Sequence, residues 1–270
     1  MEDRRIMNRA AGMFFDHFGL LPGRADRDLL HRIVAEFARV PWENLTKFLA
    51  RARGLPSVNR LRLADRVIAE HLEYGTGGTC FSLTEALGAI LACAGFRCHP
   101  VMADMSHGRN IHCALIVFTG NGERYLADPG YLVPLPVSLP EGKGCSLDIP
   151  GQKMVWEPSH GNACDLITLD GGNRTWRYRL RMTPVDREEF LGHWQRSFDA
   201  TGMNGLHANF RAEGRRISAH NMNLRFVEGD GTRNEKLGGD YAADMEKHFG
   251  ISRRIALEAE REWREACRAR

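Results

Sequence analysis

Cysteine, histidine and aspartate can act together as nucleophile, base and orienting acid. The chain carries one of each in a setting suited to that role: Cys80, His112 and Asp128. Cys80 lies in GTGGTCFSLTEAL (75–87), between a glycine run and a helical stripe of Leu83, Ala86, Leu87, Ile90, Leu91 and Ala94 that Gly95 ends. Ser82 and Glu85 have capping-box spacing, so the thiol sits at or just before a helix N-terminus. Unpaired amides and the positive end of the helix dipole favour a thiolate there, and the glycines let backbone N–H groups approach a developing oxyanion. His112 opens IHCALIVF (111–118), a strand too apolar to bury an unpartnered imidazole without penalty. Asp128 ends the next strand, in YLADPG (125–130). Taken singly, each has a plainer role as a small buried thiol, a satisfied core histidine and a turn residue. Their conjunction carries the chemical reading.

The hairpin between His112 and Asp128 supplies a geometric test. A two-residue Asn121-Gly122 turn would set Asp128 opposite Leu115, on the face away from His112. A three-residue Gly120-Asn121-Gly122 loop, with Gly122 left-handed in a bulge, sets Asp128 opposite Ala114, on the face of His112. The second register is the expected one.

Three textures must position these residues. From Arg4 to about Ala94 the periodicity is helical, as in Leu29, Leu30, Ile33, Val34 and Phe37. From Phe96 to Met182 short apolar runs are split by glycine, proline and asparagine. In the last of them Trp176, Tyr178, Leu180 and Met182 alternate with Arg177, Arg179 and Arg181, as in a strand with one wet face. Thr183-Pro184 reads as a helix start, followed by a helix to Phe198, polar strands over 214–227 and a charged helix over 251–270. The expected class is α+β, with a helical domain (1–95) carrying Cys80, a β domain (96–190) carrying His112 and Asp128, and a mixed α/β region (191–270).

Hydrophobic content of 43%, charged content of 26% and a net charge of +3 fit an ordinary soluble protein and give no footprint for nucleic acid. No apolar run approaches the roughly 20 residues of a membrane span, and the first residues lack a signal peptide's apolar core. No membrane partner and a cytoplasmic location follow as expectations. Seven cysteines form an odd and unevenly spaced set, and most of them read as reduced. Cys93, Cys98, His99 and Cys113 match no zinc spacing, and no metal is expected. GTGGTC lacks the Gly-Lys-Ser/Thr ending of a phosphate loop.

GGTCFSLTEALGAILACAGFRCHPVMADM, NIHCALIVF and GERYLADPGYLVPLP together resemble the core of the arylamine N-acetyltransferase family. Upstream VPWENLTKF, and downstream GRRISAHNMNLRF and KHFGISR, extend the likeness over most of the chain. The resemblance implies an N-terminal helical domain with the catalytic cysteine, a central antiparallel β-barrel and a C-terminal α/β lid. It implies Cys80 as acyl-accepting nucleophile, His112 as base and Asp128 as orienting carboxylate. Acetyl-CoA or another acyl thioester would be cosubstrate, with no bound cofactor, and a small-molecule amine the acceptor. Trp42, Thr79, Phe81 and Tyr131 are the expected substrate contacts, while Glu43 and Asn44 tie a turn. Oligomeric state is left open.

The family pattern Arg-Gly-Gly-aromatic-Cys-Phe-Glu is altered here: Thr76 replaces the arginine, Thr79 the aromatic and Ser82 the glutamate. The paired loss of arginine and acid reads as the absence of a structural ion pair, and the loss of the aromatic as a reshaped acceptor pocket. An amide synthase with a biosynthetic acceptor, a papain- or transglutaminase-like thiol hydrolase and a noncatalytic binding protein are the alternatives. Arg215, Arg216, Arg253 and Arg254 read as a solvated face rather than contacts to CoA phosphates.

Overall fold

The computed structural model describes residues 2–54, 56–139, 142–149, 152–170, 172–199, 205–212, 214–229 and 231–268. Its first third holds the helices α1 (Glu2–Phe18), α2 (Arg27–Phe37), α3 (Leu45–Ala52), α4 (Ala64–Tyr74) and α5 (Cys80–Cys93), with a two-residue strand β1 (Trp42–Glu43) before α3. In α2, Asp26 caps the first turn through the Leu29 amide, and Leu29, Leu30, Ile33, Val34 and Phe37 are buried as their spacing requires. Each such side chain stabilises the fold by roughly 1.5–3 kcal/mol.

Helix α5 runs through the middle of the molecule. Its stripe is buried, and so are Phe81, Ser82, Thr84 and Ala89, as in a helix covered around most of its circumference, while Ala92 near its end is exposed. The capping box does not form. Extended Thr79 (φ −81°, ψ 175°) precedes the helix, Ser82 Oγ turns back to the Thr79 carbonyl at 3.0 Å, and Glu85 faces Arg187 at 3.1 Å. The helix therefore begins at Cys80 itself.

Eight antiparallel strands follow: β2 (Arg97–Met105), β3 (Gly108–Phe118), β4 (Arg124–Ala127), β5 (Val137–Ser138), β6 (Cys145–Ile149), β7 (Gln152–Ser159), β8 (Ala163–Asp170) and β9 (Asn173–Pro184). Their order is β5-β4-β3-β2-β9-β8-β7-β6, with β5 approaching β6 so that the barrel nearly closes. Alternation explains the unbroken apolar run of β3. Ala114 and Ile116 join the barrel interior with Leu126, Trp156, Tyr178 and Leu180, whereas Leu115 and Val117 pack into the helical core with Leu83, Leu87 and Leu91. His112 shares the inward parity of Ala114.

Two elements differ from the sequence reading. A bulge in β9 pairs Leu166 with Tyr178 but Ile167 with Trp176, leaving Arg177 as the extra residue. Tyr178 consequently points into the core and Trp176 is exposed. Thr183-Pro184 ends β9 rather than opening a helix; α6 (Arg187–Arg196) starts after Asp186, whose carboxylate accepts from the Glu189 amide.

The C-terminal layer contains β10 (His207–Ala212), β11 (Arg215–His220), β12 (Asn223–Glu228), β13 (Gly231–Lys236), α7 (Tyr241–Phe249) and α8 (Arg253–Arg268). β1 joins its edge, in the order β1-β10-β11-β12-β13. One sheet face, with Ala208, Ile217, Ala219, Leu224 and Phe226, forms a core with α3, α7 and α8. The opposite face carries His207, Asn209, Arg211 and Arg216. Among the described residues no helix is long and apolar enough to cross a membrane.

Candidate active site

The β3–β4 hairpin has the expected three-residue loop. Leu115 pairs with Ala127 and Phe118 with Arg124; Gly122 is left-handed (φ 86°), and its amide donates to the Thr119 carbonyl at 2.9 Å. One residue past the ladder, Asp128 lies on the face of His112, its Oδ2 2.9 Å from His112 Nε2. Asp128 accepts two further bonds: the Tyr178 hydroxyl donates to Oδ2 at 2.8 Å and the Tyr131 amide to Oδ1 at 2.9 Å. The Tyr178 ring also stacks on the imidazole, centroids 4.9 Å apart, and its oxygen accepts from Trp156 Nε1 at 3.2 Å. Three donors converging on one buried carboxylate compensate its lost hydration.

Cys80 occupies the first position of α5, its sulfur 3.6 Å from the Ile111 carbonyl, next in chain to His112. With Nε2 engaged by Asp128, Nδ1 is the nitrogen left for the sulfur. Hydrogen bonding from the Cys113 thiol, then the hydrogen bond and charge of His112 and the charge of Lys47, lower the Cys80 pKa well below the usual thiol value against the opposing effect of burial. Burial likewise opposes protonation of His112, but the charge and hydrogen bond of Asp128, with Cys80, raise it to about 10. Cys113 moves the other way, pushed well up by burial and by Cys80. Both shifts favour a thiolate beside an imidazolium.

Lys47, like Tyr178, is a residue that sequence reasoning missed. Only 8% exposed, it donates from Nζ to the Ser197 carbonyl (2.6 Å) and hydroxyl (2.9 Å) and sits 4.8 Å over the Phe198 ring. Burial lowers its pKa to about 8 while Cys80 and Asp199 pull it up. Removing this cation destabilises the thiolate, so in Lys47→Met the acid limb of Cys80 alkylation by iodoacetamide is expected to move to higher pH. On that limb, below its midpoint, the rate should fall roughly 3- to 10-fold, since there each unit of pKa is a factor of ten in thiolate fraction. An unchanged profile would remove Lys47 from the electrostatics of the site.

The cysteine and histidine open on a cavity of about 590 Å³ between the three layers, a size suited to a drug-sized ligand. Trp42, Thr79, Phe81 and Tyr131 all border it, as do Lys47, His207 and Arg216. The Phe81 ring itself is fully buried against Phe190 and Trp194. Glu43 accepts from the amide and hydroxyl of Thr46, and Asn44 bridges Gly205 and His207, so both tie the chain together. The ion pair read as absent is rebuilt from other residues. Buried Arg62 donates to the Gly77 carbonyl (2.7 Å), to Thr46 Oγ1 (2.8 Å) and to Thr76 Oγ1 (3.4 Å), with Glu70 at 2.7 Å and Glu43 at 3.8 Å. Arg253 pairs with Asp240 and Arg254 lies over Tyr74, both as solvated-face residues, whereas Arg216 reaches the cavity wall. Among the described residues no group of three or more His, Cys, Asp or Glu is placed to hold a metal ion.

A cysteine at a helix start, faced by a histidine and aspartate from one hairpin, is an arrangement able to carry an acyl group as a thioester. The N-acetyltransferase family profile matches residues 26–198, and the chain belongs to that family of acyltransferases, the arylamine N-acetyltransferases. Its fold is similar to that of the Mycobacterium smegmatis arylamine N-acetyltransferase (21% identity, TM-score 0.77, covering 93% of this chain and 97% of that one). The Mycobacterium tuberculosis enzyme gives 19% and 0.78, covering 93% and 98%. The Mycobacterium marinum enzyme, solved in complex with CoA, gives 18% and 0.77, covering 93% and 98%. The sequence has no significant match among curated proteins.

Proposed function

We propose that this protein moves an acetyl or other acyl group from a CoA thioester to an amine through a thioester on Cys80. The observation that carries this reading is the buried Cys80–His112–Asp128 arrangement opening on a cavity of about 590 Å³. The Cys80 thiolate attacks the thioester carbonyl, and the departing CoA thiolate takes the proton of His112. The neutral imidazole then accepts a proton from the amine as it attacks the acyl-enzyme, and Cys80 leaves as thiolate, restoring the starting pair. The first amides of α5, which have no intrahelical acceptor, are placed to stabilise the oxyanion of each tetrahedral intermediate. Thr79 at the cavity wall, where the family has an aromatic, favours an acceptor bulkier than a single ring.

Intact-mass measurement after mixing with acetyl-CoA tests the scheme. One acetyl group is expected on the wild type, none on Cys80→Ala, and loss of the adduct on adding an aromatic amine. Discharge by water alone would convert the reading to a thiol hydrolase, and no adduct with any acyl thioester would overturn it.

A further inference from the structure

β10 and β11 set Arg211 directly opposite Arg216, and Arg216 borders the cavity that Cys80 opens on. Like charges at facing positions of adjacent strands repel. Both guanidiniums turn to one neutral acceptor, Gln152 Oε1 of β7, at 3.4 and 3.2 Å. Arg211 is 8% exposed and Gln152 6%, and three of their donors, Arg211 Nε, Arg211 Nη1 and Gln152 Nε2, are buried without a hydrogen-bond partner. Among the described residues no carboxylate lies within 4 Å of either arginine; the nearby Asp170 reaches Arg225 instead, at 3.9 Å. Arg177, whose Nε donates to Thr168 Oγ1, adds a third positive charge acting on the Tyr131 phenol. Tyr131 and Arg216 border the same cavity as Cys80, and the Tyr131 ring stands edge-on to His112 at 6.3 Å. An uncharged water could fill a donor or two but would leave the repulsion between the arginines in place. An oxyanion answers both the unfilled donors and the charge.

We infer that Arg211, Arg216 and Gln152 form an anion subsite in the wall of the catalytic cavity, taking the carboxylate, sulfonate or phosphate of a substrate held there. The group belongs either to the phosphates of the donor or to an acidic acceptor. Which substrates enter rests on the acyl-transfer reading; the existence of the subsite does not.

Two experiments on the full chain test it. In the first, pyrophosphate and benzoate are titrated into unreacted wild type and Arg216→Gln, with melting temperature as readout. At least one anion is expected to raise the wild-type value and to leave the variant's unmoved. Arg216 is only partly buried, so the variant should fold; Arg211→Gln repeats the test from the other strand. The second compares two ratios of kcat/KM: Cys80 acylation by acetyl-CoA against uncharged p-nitrophenyl acetate, and acyl-enzyme discharge by 4-aminobenzoate against aniline. A tenfold or greater fall of the first ratio in Arg216→Gln assigns the subsite to the donor, and of the second to an acidic acceptor. Equal anion response in wild type and both variants, with both ratios unchanged, would overturn the inference. Failure of wild type to be acylated would count against the acyl-transfer scheme alone, because the melting experiment still decides the subsite.

Discussion

Asp128→Asn is expected to leave a folded protein whose acylation of Cys80 by acetyl-CoA is slower by about 10³- to 10⁴-fold, the scale of removing an orienting carboxylate from a catalytic triad. The carboxylate accepts from His112, Tyr178 and the Tyr131 amide, using both oxygens. Asparagine offers one oxygen and one NH₂ group, so at least one of these donors must face another donor. The mismatch costs roughly 1–3 kcal/mol, which a chain of this size survives with a modestly lower Tm. The chemical loss is greater. The negative charge that overrides burial at His112 is gone, so the imidazole pKa falls from about 10 and the pair drifts toward neutral thiol and imidazole. The sign follows: losing the imidazolium raises the Cys80 pKa, and the acid limb of iodoacetamide alkylation moves up in pH. Acylation within tenfold of wild type, with an unmoved limb, would exclude Asp128 as the orienting acid.

The legible parts of this molecule were those whose cause is local. The hairpin register follows from Gly122, because a left-handed residue in a three-residue loop fixes which face Asp128 takes. Cys80, too, could be placed at a helix start from the glycines before it and the apolar stripe behind it. The helix begins at Cys80 itself, within that placement, but the Ser82–Glu85 capping box does not form, because the Ser82 hydroxyl returns to the Thr79 carbonyl and Glu85 is drawn to Arg187 of a distant helix.

What escaped the sequence depends on contacts between distant segments. Tyr178 has the signature of any core aromatic in an alternating strand. Only the bulge at Arg177 and closure of the barrel bring its hydroxyl to Asp128. Lys47 follows a turn motif that explained its neighbours, and nothing nearby in the chain indicates that Ser197 anchors its amine near Cys80. Arg62 shows the opposite effect. The missing arginine at position 76 suggested a lost ion pair, yet a guanidinium from the segment before α4 reaches Thr76 Oγ1 and the Gly77 carbonyl. A departure from a family pattern records a change at one position, whereas the electrostatic need is met by whichever residue the fold delivers.

Gly130→Ala should be nearly as damaging as loss of the acid, although it changes no titratable group. The turn that carries Asp128 passes so close to the nucleophile that a Cβ on Gly130 would lie 2.9 Å from Cys80 Cα and 3.0 Å from His112 Cε1, and nearer still to Cys80 Cβ. Two of these three atoms belong to Cys80, which the buried start of α5 holds. The turn itself must then retreat, taking Asp128 and Tyr131 with it. A displacement near 1 Å in a catalytic arrangement costs about 100-fold, and overpacking costs about 1–3 kcal/mol of stability. The expected result is a fall of at least about 100-fold in kcat/KM for Cys80 acylation with a melting temperature lower by several degrees. Gly12→Ala is the matched control, since its Cβ meets nothing within 4 Å on α1. It should keep full activity and melt slightly higher, as alanine is favoured over glycine in a helix. Near-normal acylation in Gly130→Ala would mean that the turn can move away without disturbing the triad, and that this close approach does not hold the aspartate in place.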